Sequence, residues 1–484
     1  MIGASIRASV PVASLALAAL LLGVGVVHAP VPTFLAAAVV FLVGLRFAVG
    51  GVPSAALPSP RAAKGDAETP VRKAVSVYLL CWWVVMVAPL AAYVPREVGS
   101  RAVEATVSGS LQNQVLVASF GLVGMAFLPA AVRRVGGAFW WVMALWALYL
   151  LWAYTSLFWS EYPEITLRNL AAYVLVTVGC FGLGAGFYGG REDGARLFLR
   201  HLAIAGVISA LVVLIPLPRY LGEFNPLDPT QRLEIGGGLS TFSARPVMVA
   251  GLALVVAALA GLRRWRTADW LLLAVLLAPI LLLKTRGPLL WALLALGVVY
   301  LLCRPLARDR VLQAGLLVTA GLGYAVLLLG GFLGPISTYM TRGNAELSMT
   351  LTGRVPLWDA LLPAVSERPL TGEGFAAFWN PENLYLMERL VGFPVVSAHN
   401  GFLEELLNTG AVGLFLFLAF WVSAMVFSVW KARRGEPLGW IAFLFLLFYL
   451  LLNLTSSLMQ DYLEVPFMVA FVVLGLMSVR GEAR

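Results

Sequence analysis

Runs of apolar residues long enough to cross a bilayer core, about 20 residues each, recur along the whole chain between short polar stretches. The pattern predicts spans near 8–28, 31–50, 74–94, 115–132, 137–158, 165–188, 197–216, 246–262, 269–283, 288–303, 311–333, 409–430, 437–455 and 465–480. The first run has no small-residue cleavage site before the second begins at Val31, which predicts a retained helix rather than a removed signal. Two polar stretches exceed the rest, one near 217–245 and one over 335–408. Loops of that length in compact proteins are usually functional or disordered. The second carries Trp358, Phe375, Phe378, Trp379, Tyr385 and Phe393, too aromatic for a disordered tail, and is expected to fold as short helices over one face. The expectation is an all-α polytopic membrane protein of about 14 transmembrane helices. A bundle over 1–334 leads to a large helical loop over 335–408, ahead of the twelfth span, and a closing bundle covers 409–484.

Composition agrees. The chain is 60% hydrophobic and 12% charged, with a mean hydropathy of +0.88, against about 25% charged residues in soluble domains. The three cysteines, Cys81, Cys180 and Cys303, lie in or at the ends of apolar runs without metal-ligand spacing, and read as packing residues.

The net charge of +9 invites a nucleic-acid reading, which its distribution excludes. An even number of spans puts both termini on one side, and loops rich in Lys and Arg face the cytoplasm. With the termini inside, 21 of the 34 basic residues fall in inner segments, among them Arg133, Arg134, Arg263, Arg264, Arg266, Lys431, Arg433 and Arg434. The outer segments hold 12 basic and 17 acidic residues, a net charge of −5. The basic excess is an orientation signal. Both termini are expected in the cytoplasm, and the 335–408 loop outside it.

Several outer cations sit close to predicted span ends, where charge is costly and usually faces a cavity or a partner. Lys284 and Arg286 form the polar content of a tight turn in "LLLKTRGPLLW"; Arg245 opens the eighth span, and Arg168 lies about a turn into the sixth. Snorkelling to headgroups accounts equally well for Arg168. It suits Arg286 less, because Gly287 and Pro288 shape a turn able to aim the side chain inward. Guanidinium groups gathered at an outer cavity imply an anionic ligand, and a phosphate or diphosphate on a lipid is the available one.

The stretch "SAHNGFLEELLNTGAVG" (397–413) holds the loop's one histidine, His399. Asn400 there suits a helix cap, and Glu404 and Glu405 suit a helix N-terminus. Alternatively, His399 is a general base, since imidazole takes a proton near neutral pH. The residues alone leave both readings open. His28 and His201 read as ordinary interfacial residues.

"HNGFLEELLNTGAVGLFLF" resembles the signature of the O-antigen ligase and O-antigen polymerase superfamily. "TSLFWSEYPEITLRNL" (155–170), "LLLKTRGPLLWALLAL" (281–296) and "GRVPLWDALLPAVSERPLTGEGFAAF" (353–378) resemble further motifs of that family in its order. The resemblance implies an enzyme of the cytoplasmic membrane that transfers a glycan, with inversion, from undecaprenyl diphosphate. The acceptor would be a lipid A–core sugar, another lipid-linked glycan or a protein hydroxyl, and the active site would face the periplasm. His399 then matches the acceptor-activating base, and Arg286, Arg245 and Arg354 match arginines serving the diphosphate. Lys284, Asn400 and Glu404 would complete the substrate site. Two departures stand out. Members commonly have about twelve spans, so the count here is 12–14, the first two runs being either an extension or not spans at all. The loop before the eighth span reads "GGGLSTFSARP" where the family has a different pattern, which leaves Arg232 as a rival to Arg245.

No acidic D-x-D pair and no His/Asp/Glu cluster with divalent-metal spacing occurs in the outer segments, and no Walker-type glycine loop in the inner ones, so neither metal nor nucleotide cofactor is expected. The rival class is a flippase for lipid-linked sugars, which needs polar groups at midmembrane depth. The middles of the spans are almost free of charge, which favours the enzyme.

Overall fold

Proline and glycine decide where the apolar runs break. The structure, a computed structural model, describes residues 70–87, 111–189, 192–214, 244–282, 286–302, 354–392 and 395–479. The spans expected near 8–28, 31–50 and 311–333 lie outside these residues, as do Lys284, Arg232 and Phe393. Among the described residues the chain is helical without a strand, apart from one antiparallel bridge between Val135 and Val479. The helices are α1 (Pro70–Val87), α2 (Leu111–Ala126), α3 (Leu128–Arg134), α4 (Trp140–Thr155), α5 (Pro163–Gly182), α6 (Glu192–Leu214), α7 (Ala244–Leu259) and α8 (Thr267–Leu282). After these come α9 (Arg286–Leu302), α10 (Arg354–Glu367), α11 (Pro381–Val391), α12 (Gly401–Arg433), α13 (Pro437–Leu452) and α14 (Val465–Ser478).

Four stretches are long and apolar enough to cross a membrane by length and composition: Gly137–Phe158, Pro163–Tyr188, Asp193–Leu211 and Gly401–Arg433. Six further apolar helices are shorter. The run expected as one span over 115–132 is divided at Phe127 into α2 and α3. Pro129 lies in the first turn of α3, where its missing N–H costs nothing, but it cannot continue the preceding helix.

Helix α14 is apolar all round and every residue of it is buried, as a helix without a polar face requires. It packs against α5, α7 and α13 and against the π-helical turn Leu183–Tyr188 that ends α5. The close approach depends on small residues: a Cβ on Gly184 would lie 2.1 Å from the Val472 carbonyl oxygen, and one on Gly475 2.5 Å from that of Phe181. Around this centre α4 exposes Trp141 near one end, with Phe158 exposed just beyond the other, matching the aromatic belts of membrane helices.

The bundle has two ends. At one, Lys431 donates to the Val479 carbonyl and Gly136 N–H to the Ser478 carbonyl, near Arg133 and Arg134. At the other lie the start of α12 and His399. Here α10 and α11 build a second small core from Leu357, Leu361, Phe378, Leu384, Met387 and Leu407.

Helix α12 is broken at Gly410 (φ 68°, ψ −173°). The freed backbone groups are met by the segment 369–374. Ala411 N–H donates to the Pro369 carbonyl, while the Glu373 and Gly374 N–H groups donate to those of Leu407 and Asn408. A broken helix at a membrane requires this kind of internal satisfaction. Gly410 suits the position twice over, since its φ is left-handed and a Cβ there would lie 2.2 Å from the Leu370 carbonyl carbon. Gly410→Ala is expected to destabilise the protein by about 2–6 kcal/mol, combining backbone strain and overpacking. The check is thermal unfolding in detergent; an unchanged midpoint would count against this account of the break.

Candidate functional site

Asn400 caps α12, its Oδ1 accepting from Phe402 N–H at 2.9 Å and Leu403 N–H at 3.2 Å. The capping reading of the sequence therefore describes Asn400. His399, just before it, has φ 51°, a left-handed conformation uncommon for a residue with a side chain. Its neighbours are tied on both sides. Ala398 N–H donates to Glu404 Oε2 at 2.7 Å, and the Ala398 carbonyl accepts from Trp358 Nε1 at 2.8 Å. Gly401 N–H donates to the Asn453 carbonyl at 2.7 Å. The His399 side chain remains accessible, with Ser397 Oγ 3.3 Å from Nδ1.

Glu404 is buried, and its two oxygens accept from Trp379 Nε1 and from Ala398 N–H. It faces the inside of the His399 loop rather than an open surface. Glu405 is also buried, and accepts from Tyr149 Oη, Thr409 Oγ1 and Gln460 Nε2.

Two of the expected arginines act on His399 through their charge. Arg354 opens α10, and Arg245 lies in the first turn of α7. Partial burial, followed by the positive charges of Arg354 and Arg245, lowers the His399 pKa to about 4. The imidazole is therefore neutral at pH 7. Arg245 donates from Nη1 to Glu464 Oε1 at 2.6 Å and from Nη2 to Ser456 Oγ at 3.2 Å. Arg286 is the first residue of α9. A turn further on, Trp291 Nε1 donates to Thr455 Oγ1 at 2.9 Å.

These contacts share one segment, the turn "NLTSSLMQDYLE" (453–464) between α13 and α14. Asn453 holds Gly401, Thr455 holds α9, Ser456 and Glu464 hold Arg245, and Gln460 bridges Glu405 and Ala376 N–H. Sequence reasoning passed over this turn. The available signal was its density of polar residues between two of the most apolar helices in the chain.

The 155–170 motif contributes support. Trp159 Nε1 donates to the Thr371 carbonyl, Phe375 N–H to Ser156 Oγ, and Arg368 pairs with Glu161. Arg168 lies near Tyr462 of the 453–464 turn. His201 belongs elsewhere in the bundle, buried between Ser76 Oγ and the Tyr188 hydroxyl rather than at an interface.

The arrangement offers a neutral, accessible base beside two guanidinium groups. Residues 271–418 match the family model described as O-antigen ligase. The exopolysaccharide production protein ExoQ of Rhizobium meliloti (strain 1021) is 26% identical over 338 residues, covering 64% of this chain and 71% of that protein. The family match runs through Arg286, Arg354 and His399, and over that segment the chain is similar to the O-antigen ligase family.

Proposed function

We propose that the protein is a glycosyltransferase of the cytoplasmic membrane that moves a glycan from undecaprenyl diphosphate to an acceptor hydroxyl on the periplasmic face. The observation that carries this reading is that Arg354, on the helix bonded to Ala398, and Arg245, tied to the 453–464 turn that also holds Gly401, lie with His399 at one end of a helical membrane bundle. The acceptor oxygen attacks the anomeric carbon from the face opposite the diphosphate, and its proton passes to the neutral imidazole of His399. The bond from the anomeric carbon to the diphosphate oxygen breaks, and the electron pair leaves with undecaprenyl diphosphate. Arg245 and Arg354 stabilise that leaving charge with their guanidinium groups, and Arg286, the first residue of α9, is assigned the same role. The relative's name, exopolysaccharide production protein, supports a role in polysaccharide assembly.

The test is to incubate purified protein with a lipid-linked oligosaccharide and candidate acceptors. A glycan ladder supports a polymerase and a single addition supports a ligase; absence of any transferred product across donors and acceptors overturns the reading. The orientation is tested separately. A cysteine introduced at Arg433 should resist membrane-impermeant labelling from the periplasm of intact cells, because basic loops stay inside. Labelling there would reverse the assignment of sides.

A further inference from the structure

Ala398, immediately before His399, has both of its backbone groups bonded to side chains. Its N–H goes to Glu404 on α12, and its carbonyl accepts from Trp358 on α10. The second oxygen of Glu404 is held by Trp379 Nε1. Trp358 follows Arg354 by four residues on α10, so both lie on one helix face directed at the His399 loop. Next to this clamp, His399 adopts its left-handed backbone. A residue persists in such a conformation only when its surroundings over-determine it. Each bond to Ala398 removed takes away one of the constraints on that conformation.

We infer that Trp358 and Glu404 are positioning residues that aim the His399 imidazole at the acceptor, using one indole N–H and one carboxylate that do not touch the substrate. The inference rests on His399 being the base of the proposed transfer. It also gives α10 a double role, since the helix carrying an anion-binding arginine also fixes the base, and both parts of the chemistry share one rigid turn.

The test is Trp358→Phe, which keeps the ring in its apolar setting and removes the N–H. A displacement of about an ångström at a reacting group costs up to about 100-fold, so kcat is expected to fall roughly ten- to a hundred-fold with donor KM unchanged. In a His399→Ala background the same substitution should have no further effect. The acid limb of the kcat profile should also move toward the ordinary histidine range as the ring leaves the field of Arg354 and Arg245. Glu404→Gln, which sets an amide N–H against one of two donors, should reproduce the kcat loss and is the second variant should Trp358→Phe fold poorly. The inference is overturned by an unchanged kcat in folded protein, by a loss confined to KM, or by a full additive loss on top of His399→Ala. Full activity of His399→Ala alone would overturn the proposed base itself. An inactive His399→Ala beside a normal Trp358→Phe would overturn only the positioning role.

Discussion

Replacing His399 by alanine is expected to lower glycan transfer by roughly 10²–10⁴-fold, the usual contribution of a positioned general base. Folding and donor binding should remain. The side chain is accessible, and the loop is held through its neighbours: Ala398 by Trp358 and Glu404, Gly401 by Asn453. Asn400 retains its cap on α12 without the imidazole. Alanine at a left-handed φ adds modest local strain, which a thermal melt in detergent would register apart from activity. Donor affinity and single-turnover rate should be measured together. A lost rate with intact binding fits the base. Lost binding with normal chemistry at saturating donor would make His399 a phosphate ligand, and full activity would leave the stretch as a helix cap and no more.

Arg354→Gln is expected to lower kcat/KM by about 10²–10³-fold, the scale for removing one preorganised stabiliser of developing charge. The change has a second signature. In the wild type, burial and the charges of Arg354 and Arg245 hold the His399 pKa at about 4. A depressed pKa means that the neutral, proton-accepting form is present at all pH values above it. The imidazole's own contribution to kcat/KM therefore falls only as pH drops through that value, while Glu404, whose burial pushes its pKa up to about 7, adds a separate titration near neutrality. Removing one positive charge makes protonation easier, so the acid limb should move to higher pH in the variant. Bound diphosphate acts in the same direction by offsetting the arginines, so the limb of kcat should lie above that of kcat/KM in the wild type. A pH profile unmoved by Arg354→Gln would separate this arginine from His399.

Glu464 gives Arg245 a partner of opposite charge within the same end of the bundle, at 2.6 Å and largely away from water. Such a pair is costly to break from one side, because the remaining charge is left buried. Loss of Arg245 therefore mixes a stability cost with any catalytic one. Arg354 is the cleaner probe of the proposed anion site.

Much of this was local and legible. Run length alone marked α4, α5, α6 and the part of α12 beyond Gly410, because a bilayer sets the length and polarity of whatever crosses it. "HNGFLEELLNTG" announced a capped helix and its break, since a cap is satisfied within three residues and a left-handed turn asks for glycine. The division of α2 from α3 was also written locally, in Pro129, and was passed over because apolar content continues through it.

The meeting of Arg245, Arg354 and His399 was decided by tertiary structure, as was the pairing of 369–374 with the broken α12 and the role of 453–464 as their common support. Glu404, which the sequence offered for a helix N-terminus or the substrate site, turned inward because Ala398 N–H and Trp379 offered it donors. Hydrophobic pattern records which residues leave water. Within a bundle whose outer face is itself apolar, that pattern no longer distinguishes a neighbouring helix from lipid. Which helices touch is then set by small-residue contacts such as Gly184 against Val472, and by polar groups that must find one another across long stretches of chain.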